Sequence, residues 1–142
     1  MIILDTNILS EIYKPQPDPQ VVAWYAATNA ERIYLTAPTV AELTYGIGLL
    51  PDSRRKQAMR DALDRVLFDD FAEALLPFDT PCAIATGSMR AAARNAGWTL
   101  GEYDLMIAAT AQVHGATLAT RNIRDFQHLG IPLQNPFEGP AP

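Results

Sequence analysis

Three acidic positions and one polar corner carry the chemistry open to this chain. Asp5 closes the run Met1-Ile2-Ile3-Leu4-Asp5-Thr6-Asn7, Glu42 lies in Thr39-Val40-Ala41-Glu42-Leu43, and Asp104 opens Asp104-Leu105-Met106-Ile107-Ala108-Ala109-Thr110-Ala111. The fourth position is Asn122, two residues after Thr120, with Asp125 close behind. Carboxylates gathered in one cleft repel each other unless a cation joins them, so such a set implies Mg2+ or Mn2+. Hard oxygen ligands select those ions over zinc, and 2 histidines offer little nitrogen.

Each position also has a local explanation. Asp5 or Asn7 caps a following helix as readily as it binds an ion. Thr39-x-x-Glu42 fits a capping box, in which Glu42 bonds back to the backbone of Thr39. Thr99-x-x-Glu102 fits another, which makes Glu102 a cap. Glu102 and Asp104 point in nearly opposite directions on a helix, so at most one of them enters a site. Asp104 leads a helix apolar all round, where an acid is costly unless capped or coordinated. Asp125 also suits the cap of a short turn containing Phe126 and Leu129.

What brings such distant residues together must be the fold. Ile2 to Leu4 reads as a strand buried on both faces, followed by a helix from Asn7 to Tyr13. Prolines 15, 17 and 19 forbid regular helix until Asp18 caps a new one, with Pro19 at its first position and Val21, Val22 and Tyr25 on one face. Ile33 to Leu35 is a second strand. Helices are expected over Thr39 to Leu49, with Glu42 in the first turn, and over Asp52 to Phe68. Leu75 to Phe78 is a third strand, and Thr80 to Ala96 a helix ended by Gly97. Glu102 to His114 follows, closed by Gly115, then strand Thr117 to Thr120, a turn from Asp125 to Leu129, and an edge strand over Ile131 to Leu133. Strands alternating with helices predict an α/β domain with a central parallel sheet of four to five strands and helices on both faces. Such sheets place ligands at their carboxyl edge, where Asp5 lies. The domain is expected over residues 1–134, with 135–142 as a loose tail rich in proline.

Composition bounds the function. The chain has 142 residues, 49% hydrophobic and 19% charged, as one globular domain requires. No apolar run is long enough to span a bilayer, and Met1 leads directly into the first strand without a basic, cleavable leader. The single cysteine, Cys82, has no internal partner, which fits a reducing cytoplasm. A formal net charge of −5 argues against nonspecific affinity for nucleic acid, unless bound metal or a basic partner offsets the acids. No set of aromatics suited to stacking RNA bases is evident, and Trp24 and Trp98 are as readily core or interface residues.

The pieces Ile3-Leu4-Asp5-Thr6-Asn7, Val40-Ala41-Glu42-Leu43-x-x-Gly46, Asp104 to Ala111 and Thr120-x-Asn122-x-x-Asp125-Phe126 together resemble PIN-domain proteins, above all the VapC-type toxins of bacterial toxin–antitoxin modules and their FitB-like branch. Each motif is weak alone, but the ordered set spans nearly the whole chain. The resemblance implies a three-layer PIN-like fold and a Mg2+-dependent ribonuclease, with Mn2+ as the other candidate ion. It makes Asp5, Glu42 and Asp104 the metal ligands. The family's fourth acid falls on Asn122, which adds no charge, so Asn122 and Asp125 both stand for that place. Thr6 and Thr120 would orient the ligands, and Arg121 and Arg124 would grip flanking phosphates. Also implied are a homodimer, a VapB/FitA-like antitoxin encoded beside the toxin, and operator DNA reached only through that antitoxin. Surplus apolar surface on the helix from Asp52 to Phe68 agrees with self-association.

Two other readings compete. One is a PIN-domain subunit of a DNA-binding complex with little catalysis of its own. The other is a Mg2+-dependent phosphatase built on a strand-end aspartate. That chemistry needs a second aspartate where Asn7 stands and a downstream lysine, yet Lys14 and Lys56 are poorly placed.

Overall fold

The computed structural model describes residues 1–139 and places a five-stranded parallel sheet between two helical layers. Strand β1 (Ile2–Leu4) is central and wholly buried. It pairs on one side with β2 (Ile33–Thr36), Ile2 facing Ile33, and on the other with β4 (Thr117–Ala119), Leu4 facing Ala119. The short strands β3 (Leu75–Leu76) and β5 (Leu133–Gln134) close the edges, in the order β3-β2-β1-β4-β5. The chain leaves β1 toward β2 and later returns to its other side as β4. The strand order therefore switches direction at the carboxyl ends of β1 and β4, the usual ligand position in such sheets.

Alternation along β1 divides the core. Ile2 and Leu4 face one cluster, with Ile8 and Leu9 of helix α1 (Thr6–Tyr13) and Val21 and Trp24 of helix α2 (Pro19–Ala27). Ile3 faces the other, with Met89 of helix α5 (Thr80–Ala96), Leu105, Ile107 and Ala108 of helix α6 (Glu102–Val113), and Phe126 of the short helix α7 (Ile123–Phe126). Helix α6 buries Leu105 and the whole run Ile107 to Ala111, so its apolar sequence reports its position. Helices α3 (Ala37–Gly48) and α4 (Arg54–Arg65) complete the set, and α3 packs on both α4 and α6.

Several boundaries differ from expectation, each for a local reason. Helix α3 starts two residues before Thr39, because Thr36 at the end of β2 is its cap and accepts from the Thr39 N–H at 3.2 Å. Pro38 in the first turn fits that earlier start. Helix α4 starts at Arg54 with Ser53 as its cap, while Asp52 instead receives the Lys56 ammonium at 3.2 Å. Beyond Arg65 the backbone widens to a π-helical turn, Val66–Asp70. In α2, Trp24 is buried where Val22 was expected, since Val21 and Trp24 share a face. The segment expected to be loose begins with a packed turn, Pro136–Glu138, in which Pro136 is buried and Phe137 lies on the core. Residues 140–142 of that segment lie outside the described residues. Among the described residues, no helix is long and apolar enough to cross a membrane.

Candidate active site

Asp5 stands at the carboxyl end of β1 and is only 2% exposed. Its backbone continues the sheet, its N–H donating to the Ala119 carbonyl at 2.9 Å. Both carboxylate oxygens are engaged. Oδ1 accepts from the Thr6 N–H at 2.8 Å, which caps α1, and Oδ2 accepts from Asn7 Nδ2 at 2.6 Å and Thr120 Oγ1 at 2.7 Å. Burial pushes the Asp5 carboxyl above its ordinary range and the Glu42 charge adds to this, while the bonds from Thr120, Thr6 and Asn7 oppose it. Asp5 is thus both the cap and the centre of a buried polar clamp.

Asn7 and Thr120 extend the clamp. Asn7 Oδ1 accepts from the Arg121 N–H at 3.2 Å, and Thr120 Oγ1 accepts from the Asn122 N–H at 3.0 Å. The corner after β4 is therefore tied to the corner after β1. The sequence offers Asn7 as a helix cap; its reach to the corner after β4 follows from the strand order, which sets β4 beside β1.

Glu42 does not form the expected capping box. With Thr36 as the cap it lies in the second turn of α3, too far along to bond back to the helix start. Its carboxylate instead accepts the Thr6 hydroxyl, so Thr6 joins Asp5 through its backbone and Glu42 through its side chain. Tyr45 of α3 and Tyr103 of α6 pack with ring centroids 6.4 Å apart, next to the turns that carry Glu42 and Asp104.

Asp104 enters from the first turn of α6. The second capping box is absent too: Gly101 is the cap residue, and the exposed Glu102 pairs with Arg90 at 3.2 Å. Asp104 is half-buried and its carboxyl is pushed up to about 6, by desolvation first and then by the charges of Asp5, Glu42 and Asp125. The Gly101 backbone acts in the opposite direction. A Cβ at position 101 would lie 3.0 Å from Asp104 Oδ2, so the glycine leaves room for the carboxylate.

The remaining expected residues divide. Asp125 lies inside α7 and does not cap it, and its charge reaches Asp104. Asn122 holds the cap position of α7 but its side chain makes no capping bond; its tie to the site is its backbone N–H. The Arg121 guanidinium lies over the Phe137 ring, 4.6 Å from its centroid. Arg124 is exposed and makes no ion pair among the described residues.

The donor set is all oxygen and rich in charge, which suits a hard divalent cation. Among the described residues, no group of three or more His, Cys, Asp or Glu side chains is disposed to hold an ion directly. Hydrogen bonds already engage Asp5 and Glu42, and like charges oppose closer approach. A cation would have to compete with those hydrogen bonds, while its charge would relieve the repulsion.

Comparison with known proteins adds a separate line. A family model described as PIN domain matches residues 2–132. The chain is 38% identical over 138 residues to VapC ribonuclease Y4jK of Sinorhizobium fredii, covering 97% of this chain and 99% of that protein. It is 39% identical over 137 residues to Toxin FitB of Neisseria gonorrhoeae, covering 96% and 99%. Among solved structures, FitAB bound to an IR36 DNA fragment aligns with a TM-score of 0.85 at 38% identity, over 96% of each chain.

Proposed function

This chain belongs to the PIN-domain family, in its FitB-like branch, and from that premise we propose that it is a divalent-metal-dependent ribonuclease, the toxin of a toxin–antitoxin module. One observation carries the proposal. A carboxylate that is 2% exposed, Asp5, is fixed by three neighbours at the carboxyl ends of β1 and β4, and Glu42 and Asp104 lie close enough for all three charges to interact.

In this reading Asp5, Glu42 and Asp104 hold Mg2+ or Mn2+, with Asn122 or Asp125 completing the site. An ion held there would contribute an activated water near neutral pH and charge neutralisation at the phosphodiester. The chain's own residues do the positioning. Thr120 and Asn7 fix the plane of the Asp5 carboxylate and keep Oδ2 acting only as an acceptor. The Thr6 hydroxyl orients Glu42 against α1. Gly101 leaves open the approach to Asp104. Arg124 remains available to a flanking phosphate, whereas Arg121 must first leave Phe137.

The test is cleavage of single-stranded RNA by the purified chain. Activity should require Mg2+ or Mn2+ and vanish with a chelator. Cleavage that persists in chelator, or none with any divalent ion, would count against the proposal. Release of phosphate from simple phosphomonoesters without RNA cleavage would favour the phosphatase instead.

Similarity to FitAB bound to DNA supports a second element, a FitA-like antitoxin that brings this acidic chain to operator DNA. A basic antitoxin side chain reaching the carboxylates would displace the ion and block phosphate. Operator binding by the isolated chain, or full nuclease activity in the saturated complex, would sink this part. The same similarity keeps open a DNA-binding complex with little catalysis, which the RNA assay separates. We place the protein in the cytoplasm as a homodimer, consistent with the exposed Tyr45, Leu49, Phe68 and Ile84, and light scattering should report twice the chain mass.

A further inference from the structure

The turn between α5 and α6 carries a second feature that the proposed chemistry does not use. Trp98, in the turn between α5 and α6, stacks on His128, which follows α7: the ring centroids are 4.4 Å apart and the planes 20° apart. These residues come from separate parts of the chain and meet at the surface. Trp98 remains 38% exposed, whereas Trp24 is 1% exposed in the core. A cavity of about 340 Å3 adjoins the indole, lined among others by Arg90, Arg94, Thr99 and Leu105. That volume falls at the lower end of the roughly 300–1,000 Å3 of small-ligand sites.

Charge and position indicate what would occupy it. Arg90 and Arg94 are four apart on α5 and so share a face. Arg90 is paired with Glu102, while Arg94 makes no ion pair among the described residues. In a chain of net charge −5, Arg94 gives the pocket an uncompensated positive charge, while the charge of Arg90 is met by Glu102. Leu105 of the pocket directly follows Asp104, and the turn that carries Trp98 runs into Gly101, against which the Asp104 carboxylate lies. The pocket and Asp104 therefore lie at the same end of α6 but on different sides of it, since Glu102, which pairs with Arg90, points away from Asp104. An exposed aromatic face beside a free cationic side chain is how proteins hold unpaired nucleotides: the base stacks, and the phosphate meets arginine.

We infer that this pocket is an outlying subsite for an unpaired nucleotide of an RNA strand that wraps the α6 end of the molecule, with its base on Trp98 and a phosphate on Arg94. The inference rests on the ribonuclease reading. Stacking accepts any base, so the subsite selects single-stranded RNA over duplex and does not set the cleavage sequence.

The test uses the full chain with Mg2+ and a labelled mixed-sequence oligoribonucleotide, offered single-stranded and as a duplex. Trp98→Leu and Arg94→Gln should each raise KM for the single strand about tenfold, with a much smaller fall in kcat, and Trp98→Phe should keep most of the affinity. Binding has its own readout. Because Trp24 is buried, fluorescence quenching on addition of the RNA should come from Trp98 and disappear in Trp98→Phe. Arg94→Gln changes an exposed charge and keeps the test decisive should Trp98→Leu fold poorly. If the wild-type chain cleaves RNA while KM and quenching are unmoved by these variants, the subsite is wrong and the ribonuclease stands. If no RNA is bound or cleaved, both readings fall. Loss of antitoxin affinity with RNA affinity intact would assign the pocket to the antitoxin and overturn the inference.

Discussion

Asp5 and Asp104 are the same residue type in the same candidate site, yet the fold treats them in opposite ways. Asp5 is fully enclosed and receives three hydrogen bonds from two different corners of the sheet. Asp104 is half-buried among the charges of Asp5, Glu42 and Asp125, and only the backbone at Gly101 favours its ionised form. A buried carboxylate without partners costs several kcal/mol, so the bonds to Asp5 are what allow it to sit where it does. The protein itself organises one half of the site. The other half is held at an electrostatic cost that a cation would remove.

The largest expected effect erases the comparison. Asp5→Asn, Glu42→Gln and Asp104→Asn should each lower metal-dependent RNA cleavage at least about a thousandfold, since the stabilisation by bound metal amounts to several kcal/mol at roughly 1.4 per tenfold. Circular dichroism should show the folds intact. Full activity in Glu42→Gln would leave Glu42 as a partner of Thr6 and nothing more.

Next come the groups that hold Asp5 without being ligands. Thr120→Val and Asn7→Ala should each lower cleavage or metal affinity about 10- to 100-fold, the usual effect of losing an orienting hydrogen bond beside a metal site. Isothermal titration with Mn2+ would separate the two effects. Wild-type affinity and rate in both variants would mean that burial alone fixes Asp5.

The fourth corner sharpens the comparison from the Asp104 side. Asn122→Asp should tighten metal binding severalfold if the side chain at 122 reaches the site, because it adds a hard anionic ligand. If Asp125→Asn destroys activity while Asn122→Ala is tolerated, the place belongs to Asp125. The charge of Asp125 already acts on Asp104, so its loss should also lower the Asp104 pKa.

The smallest effect is on stability in the absence of metal. Asp104 has an ordinary pKa of 3.8 and is raised to about 6 in the fold. The folded state therefore holds this proton more tightly than the unfolded chain. Its favourable contribution is fully present below about pH 3.8 and is lost as pH rises through about 6. In chelator, the melting temperature of the wild type should gain a few degrees from this group between pH 7 and pH 5, a modest figure because the half-exposed carboxylate is screened by solvent. Asp104→Asn should remove that dependence, and Glu102→Gln, on the exposed side of α6, should leave it unchanged.

The contrast also marks what could be read from sequence. Asp5 was legible because a short apolar run followed by an acid reports a buried strand and its carboxyl end at once. Helix α5 was legible from Pro81 at its start and Gly97 at its end, where the left-handed φ of 79° suits a glycine. The capping boxes at Thr39 and Thr99 failed because spacing alone cannot say which residue begins a helix. Thr36 served two elements at once, and Pro38 was the overlooked signal of an earlier start. The stack of Trp98 on His128 had no such signal: nothing in local periodicity links two turns that only the packing of α5, α6 and α7 brings together.

The bond between Thr120 and Asp5 spans 115 positions of the chain, and that separation is also an interval of time. Asp5 is synthesised 115 positions before Thr120, so the strand that completes its surroundings emerges well after it. Parallel pairing of segments so distant forms slowly, after the intervening chain has been made. Ribosome-bound chains stalled before residue 120 should accordingly lack cleavage activity. On the proposed reading, a chain built this way acquires its cutting centre only when β4 has paired with β1, so the order of synthesis itself delays the activity.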